Sequence, residues 1–247
     1  MKLINKFKSK NFDKRNDAEI LYIIIHYTAI GTLAESIKFL CDPKKRVSCH
    51  YLISQNGEIY SLVSEKNRAW HAGKSFWNSH VDINSMSIGI ELDYSDNKKN
   101  NKFTKKMIRS LVNLLKVLKK KYKIKTENIL GHSDIAPYRK IDPGENFTWN
   151  LLYKYKVAFK PKKKKQVESN QIKIWLKNMF KSRKNEIIFI LGFIGYDTSL
   201  AKENNNLFEK LLANYQRRYL NHKKYGKIDE ETIDFIRVHF INILLTK

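Results

Sequence analysis

A chain of 247 residues with 42% hydrophobic content can bury one sizeable core or two smaller ones, and we expect two domains. Lysine and arginine number 48 against 24 aspartates and glutamates, a net charge of +24 that attracts polyanions of any kind, but lysine is used so heavily throughout that compositional bias accounts for much of it and no nucleic-acid partner is expected. Two cysteines, Cys41 and Cys49, exclude a disulfide framework and a thiolate zinc site and suit free thiols in a reducing compartment. The longest apolar run, residues 187–196, is about half of the ~18 residues that a membrane span needs.

In chain order, the basic start Met1-Lys2-Leu3-Ile4-Asn5-Lys6 leads into no apolar stretch and no cleavage site, which points to a cytoplasmic protein. Residues 1–18 are polar and irregular and read as an arm lying over the surface. Leu21, Tyr22, Ile23, Ile24, Ile25, His26, Tyr27 and Thr28 then form a β-branched and aromatic run, the pattern of a central strand buried on both faces. Gly31-Thr32 ends it, and Thr32 with Glu35 makes a capping box for a short helix carrying Leu33, Ile37, Phe39 and Leu40. Residues 49–54 and 58–63 are strands joined through Asn56-Gly57, a strong hairpin signal.

A loop rich in Trp70, His71, Gly73, Phe76 and Trp77 precedes a strand at 87–92 that carries Glu91 inside its apolar run. Helical spacing over 103–122 predicts a long helix covering the sheet, and a short strand at 128–130 enters the stretch 131–144, punctuated by Pro137 and Pro143-Gly144. The expected fold is α/β, a mixed central sheet flanked by helices over 19–155. A lysine-rich linker follows at 156–167, and then a small all-α domain at 168–247. Its helical patterns cover 172–180 running towards 192–196, then 206–220, then 229–245 with Asp229 as N-cap.

The chemistry concentrates in 131–144, where His132, Lys140 and Asp142 share one loop. Hydrolysing an amide without a serine or cysteine nucleophile needs a Lewis acid, and zinc with three protein ligands and one open position is the common solution. His26, His132 and Asp142 would supply two imidazoles and a carboxylate if the strand bearing His26 lies beside the one ending at Leu130. Glu91 is the expected general base, because a carboxylate interrupting an apolar strand sits at a pocket mouth or incurs a burial cost. Lys140 is the expected cation for a developing oxyanion. His50 and His71 are rival ligands, placed below that triad on the substrate side or behind the ligands, and the aromatics around Trp70 suit a groove wall.

Five ordered blocks carry a resemblance over residues 10–152. They are Ile25-His26-Tyr27-Thr28, Val47-Ser48-Cys49-His50-Tyr51-Leu52-Ile53, Arg68-Ala69-Trp70-His71-Ala72-Gly73, Asn84-Ser85-Met86-Ser87-Ile88-Gly89-Ile90-Glu91, and the run from Gly131-His132-Ser133-Asp134 to Lys140-Ile141-Asp142-Pro143-Gly144. Together they resemble the zinc-dependent N-acetylmuramoyl-L-alanine amidases, whose fold is shared with phage-lysozyme-type amidases and peptidoglycan recognition proteins. The resemblance implies one zinc per chain on His26, His132 and Asp142, with Glu91 and Lys140 catalytic, and hydrolysis of the bond between N-acetylmuramic acid and L-alanine in peptidoglycan or 1,6-anhydro muropeptides. On this reading His50, Trp70, His71, Asn84 and Arg139 stand on the substrate side. Phage members carry a catalytic tyrosine where this sequence has Cys49, which leaves the base's work to Glu91.

The C-terminal part is similar to a three-helix peptidoglycan-binding module through Ala213-Asn214-Tyr215-Gln216-Arg217-Arg218 and Gly226-Lys227-Ile228-Asp229, with Tyr215 where phenylalanine is usual. Such a module implies contact with the wall in the periplasm or envelope, the alternative location. The alternative function is a non-catalytic peptidoglycan-binding protein.

Overall fold

The computed structural model describes residues 2–95, 102–162, 167–220 and 225–245. The chain divides into two compact units, one of Met1–Ser75, Val81–His132 and Ile141–Phe159, the other of Phe76–His80, Ser133–Lys140 and Lys160–Lys247. Among the described residues no helix is long and apolar enough to cross a membrane.

In the first unit the elements run β1 (Leu3–Ile4), β2 (Phe12–Lys14), β3 (Tyr22–Tyr27), α1 (Leu33–Cys41), β4 (Tyr51–Ile53), β5 (Ile59–Ser61), β6 (Asn67–Ala69), β7 (Ser87–Leu92), α2 (Lys105–Tyr122) and β8 (Ile129–Gly131). The single turn α3 (His132–Ile135) follows β8 directly, and α4 (Trp149–Lys154) comes next. Six strands form one sheet in the order β1-β5-β4-β7-β3-β8, in which β3 lies parallel to both β7 and β8. The hairpin β4-β5 is antiparallel, as the Asn-Gly turn predicts. Thr32 caps α1 by accepting the Glu35 N–H, and Thr104 caps α2 by accepting that of Met107.

Side chains alternate across a strand, so each face of this sheet has its own task. Ile23, Ile25, Ile88, Ile90 and Leu92 point to one face and share a core with Met107, Leu111, Leu115 and Leu118 of α2. On the other face Ile37 and Leu40 of α1 pack with Cys49, Leu52 and Leu62. His26, Ser87, Gly89 and Glu91 alternate with the α2-facing residues and so lie on that second face.

The arm is built into the unit rather than laid over it. β1 pairs with β5 and β2 with β6. Its polar residues are buried because each meets a backbone acceptor. Ser9 Oγ donates to the Leu40 carbonyl, Asn11 Nδ2 to those of Asp42 and Val47, and Arg15 to those of Glu65, Asn84, Ser85 and Ser87. Composition alone cannot distinguish such a segment from a solvated one.

The second unit contains α5 (Val167–Met179), α6 (Arg183–Ile194), α7 (Ser199–Glu203), α8 (Asn205–Tyr219) and α9 (Glu230–Leu244). The pattern expected from 172 to 196 is thus two helices, and α7 is an addition. In α6, Ile187, Ile188, Ile190, Leu191 and Ile194 are all buried, which removes the one-sided stripe that periodicity detects. Asp229 caps α9 by accepting the Thr232 N–H. Two loops read from sequence as part of the first domain, 76–80 and 133–140, belong to this unit: Asn78 N–H donates to Gly195 O, and Asn214 Nδ2 donates to the carbonyls of Pro137 and Lys140. Asp134 is enclosed there with Arg218 and with the Tyr196 hydroxyl, which donates to it at 2.6 Å. Of the linker expected at 156–167, residues 163–166 lie outside the described residues, and 167 already begins α5.

Candidate metal centre

Parallel pairing of β3 and β8 sets Ile25 opposite Gly131, so the next residue of each chain segment, His26 and His132, emerges beside the other at the carboxyl ends of the strands. The two Nδ1 atoms lie 3.0 Å apart. Asp142 Oδ2 lies 3.2 Å from the Nδ1 of His26 and 3.0 Å from that of His132. All three side chains are buried. Burial by itself would raise the Asp142 carboxyl, but the His132 and His26 imidazoles beside it outweigh burial and hold the group well below the usual carboxylate range.

The imidazoles are oriented from behind. His132 Nε2 is 3.1 Å from the Ala72 carbonyl, which can only accept, so that nitrogen carries the proton and Nδ1 offers its lone pair. The Ala72 peptide is held in turn by Asn84, whose Oδ1 accepts the N–H groups of His71 and Ala72 at 3.0 and 2.8 Å. His26 Nε2 lies 3.0 Å from Nδ1 of His71.

Three donors so arranged fit a small divalent ion. Zinc with bonds of about 2.0–2.1 Å in tetrahedral geometry separates its ligand atoms by about 3.3 Å, close to the spacings found here. Two neutral nitrogens and one carboxylate oxygen also match zinc's preference.

Glu91 is the register partner of His26 across β3 and β7, so its carboxylate rises from the same face. It is almost buried, at 9% exposure. Cys49 is fully enclosed, and burial, then the Glu91 carboxylate, push its thiol up, which disqualifies it as a nucleophile. Asn84 holds the backbone at His71 and Ala72, and His71 stands behind His26, as described. His50 has no exposed surface: its Nδ1 accepts the Gly89 N–H at 2.9 Å, and burial together with the Arg15 charge lowers it to about 3. It is thus placed inside the sheet rather than along a wall. Trp70 is half-buried, with Nε1 donating to Asp13 at 2.7 Å. Arg139 and Lys140 group with the second unit, the former exposed and the latter half-buried.

Sequence reading passed over Ser87 and Gly89. The signal was present, since residues two and four before Glu91 on a strand share its face. It also passed over Arg15, whose burial in the arm no local pattern marks.

The family described as N-acetylmuramoyl-L-alanine amidase matches residues 16–145. The 1,6-anhydro-N-acetylmuramyl-L-alanine amidase AmpD of Haemophilus influenzae is 38% identical over 163 residues, covering 58% of this chain and 87% of that protein. The N-acetylmuramoyl-L-alanine amidase AmiD of Escherichia coli is 39% identical over 158 residues, 57% of this chain and 56% of that protein. The solved structure of AmiD from E. coli, in complex with the substrate anhydro-N-acetylmuramic acid-L-Ala-D-gamma-Glu-L-Lys, is similar with a TM-score of 0.76 at 27% identity, covering 96% of this chain and 93% of that one.

Proposed function

The chain belongs to the N-acetylmuramoyl-L-alanine amidase family, and from that premise we propose that it is a zinc hydrolase releasing peptide from anhydro-muropeptides. The observation that carries this reading is the meeting of His26 Nδ1, His132 Nδ1 and Asp142 Oδ2 within 3.2 Å of one another. The anhydro sugar is the substrate feature named for AmpD and also present in the AmiD complex.

His26, His132 and Asp142 would hold the zinc, which when bound would supply the Lewis acidity that favours attack of water on the amide carbonyl. Glu91 takes the proton of that water as its oxygen bonds to the lactyl carbonyl carbon. Lys140, two residues before Asp142 in the chain, is the candidate cation for the negative charge that would develop on the carbonyl oxygen. Glu91 then returns the proton to the amide nitrogen as the C–N bond breaks, and L-alanine leaves with a free amino group. The non-catalytic alternative is not favoured, because His26, His132 and Asp142 are all present and converge.

The test is mass spectrometry of anhydro-muropeptides after incubation with the purified chain. The expected products are the anhydro sugar and a peptide with N-terminal alanine, lost with chelator and regained with zinc. His132→Ala and Asp142→Ala should abolish both zinc retention and release. Cleavage in the sugar backbone or between peptide residues would overturn the assignment.

A further inference from the structure

Behind the metal site stands a short file of groups whose protons can be placed one by one. Ser87 Oγ lies 2.5 Å from the carbonyl of Ile83. A carbonyl has no proton to give, so the single hydroxyl proton of Ser87 is committed there, and towards any other neighbour the oxygen acts as acceptor. That neighbour is Nε2 of His71, at 3.2 Å, which must therefore carry a proton. In a neutral imidazole the other nitrogen, Nδ1, is then bare. It faces His26 Nε2 at 3.0 Å and accepts its proton, which leaves Nδ1 of His26 as a lone pair directed at His132 and Asp142.

The sheet is shaped to hold this file. Ser87, Gly89 and Glu91 share one face of β7, and a Cβ at position 89 would come within 2.4 Å of His71 Cγ and 2.5 Å of its Cδ2. The imidazole of His71 therefore lies flat over a gap that only glycine leaves. His71 and Ser87 are both buried, so water does not compete for these bonds.

We infer that His71 is a positioning residue, which with Ser87 holds the His26 imidazole in the one tautomer able to bind a metal through Nδ1. This rests on the zinc reading above, and its role is to raise metal affinity by removing the competing tautomer before the ion arrives.

The experiment uses the full chain labelled with 15N-histidine. In the metal-stripped protein, long-range 1H-15N spectra should show His26 protonated at Nε2 and bare at Nδ1. His71→Leu, which keeps bulk but accepts no hydrogen bond, should mix the tautomers and weaken zinc binding by about 10–100-fold in competition with a chromophoric chelator. His71→Asn, whose amide oxygen can take the place of Nδ1, should recover most of that loss. Ser87→Ala, which folds with a smaller perturbation, should give an intermediate loss. A His26 protonated at Nδ1 in the wild-type chain, or equal zinc affinity in wild type and His71→Leu, would overturn the inference. So would an affinity loss that His71→Asn does not relieve. Failure of the zinc reading itself is distinguishable, because it appears as a wild-type chain that binds no zinc, while the His26 tautomer is read without metal.

Discussion

Gly89 and Glu91 occupy alternate positions on one face of β7, and the two demand opposite things of their sites. Gly89 must be empty: adding a methyl group would drive the His71 ring away, at a cost of about 1–3 kcal/mol for overpacking, so Gly89→Ala should lower the urea midpoint and weaken zinc retention together. On the proposed mechanism Glu91 must be charged. Glu91→Gln keeps the shape and removes the base, and we expect turnover of anhydro-muropeptide to fall about 10²–10⁴-fold while the zinc content measured by atomic absorption stays at one per chain. A zinc loss in that variant would make Glu91 part of the metal's support instead. Asp142, depressed by its two imidazole neighbours, is ionised throughout the neutral range, which suits a ligand and rules out an acid's role.

β7 connects these residues to the arm that precedes β3. Arg15, in that arm, donates to the carbonyls of Glu65, Asn84, Ser85 and Ser87, so the segment carrying Asn84 and Ser87 is held at both ends by one buried guanidinium. Burial lowers that group to about 10, still a cation at neutral pH. Arg15→Met fills the space but strands several acceptors, and should cost about 3 kcal/mol in urea unfolding. Because Asn84 positions the Ala72 carbonyl behind His132, the same variant should also weaken zinc binding. Unchanged stability would return the arm to the surface role that its composition suggests.

Across the whole chain, acid should act through histidines that the fold keeps neutral. His50 and His239, one in each unit, are lowered to about 3 from 6.5 by burial first and then by a nearby arginine, Arg15 and Arg218 respectively. Between those values the unfolded chain binds protons that the folded chain refuses, so stability falls as pH drops from about 6.5 to about 3, by ~1.4 kcal/mol per pH unit for each group. Thermal unfolding across that window should show the slope, and His239→Phe should reduce it. The central strand, the Asn-Gly hairpin and the caps at Thr32 and Asp229 were legible in the sequence, because each depends on residues within a few positions of one another. His26, His132 and Asp142 were legible as chemistry, through residue type and ordered motifs. What sequence left undecided was proximity: whether β3 lies beside β8, whether His71 stands behind His26, and whether a polar arm is solvated or enclosed. Those were decided by strand pairing and by the hydrogen-bond partners that burial makes obligatory, both of which join residues far apart along the chain and leave no local trace in it.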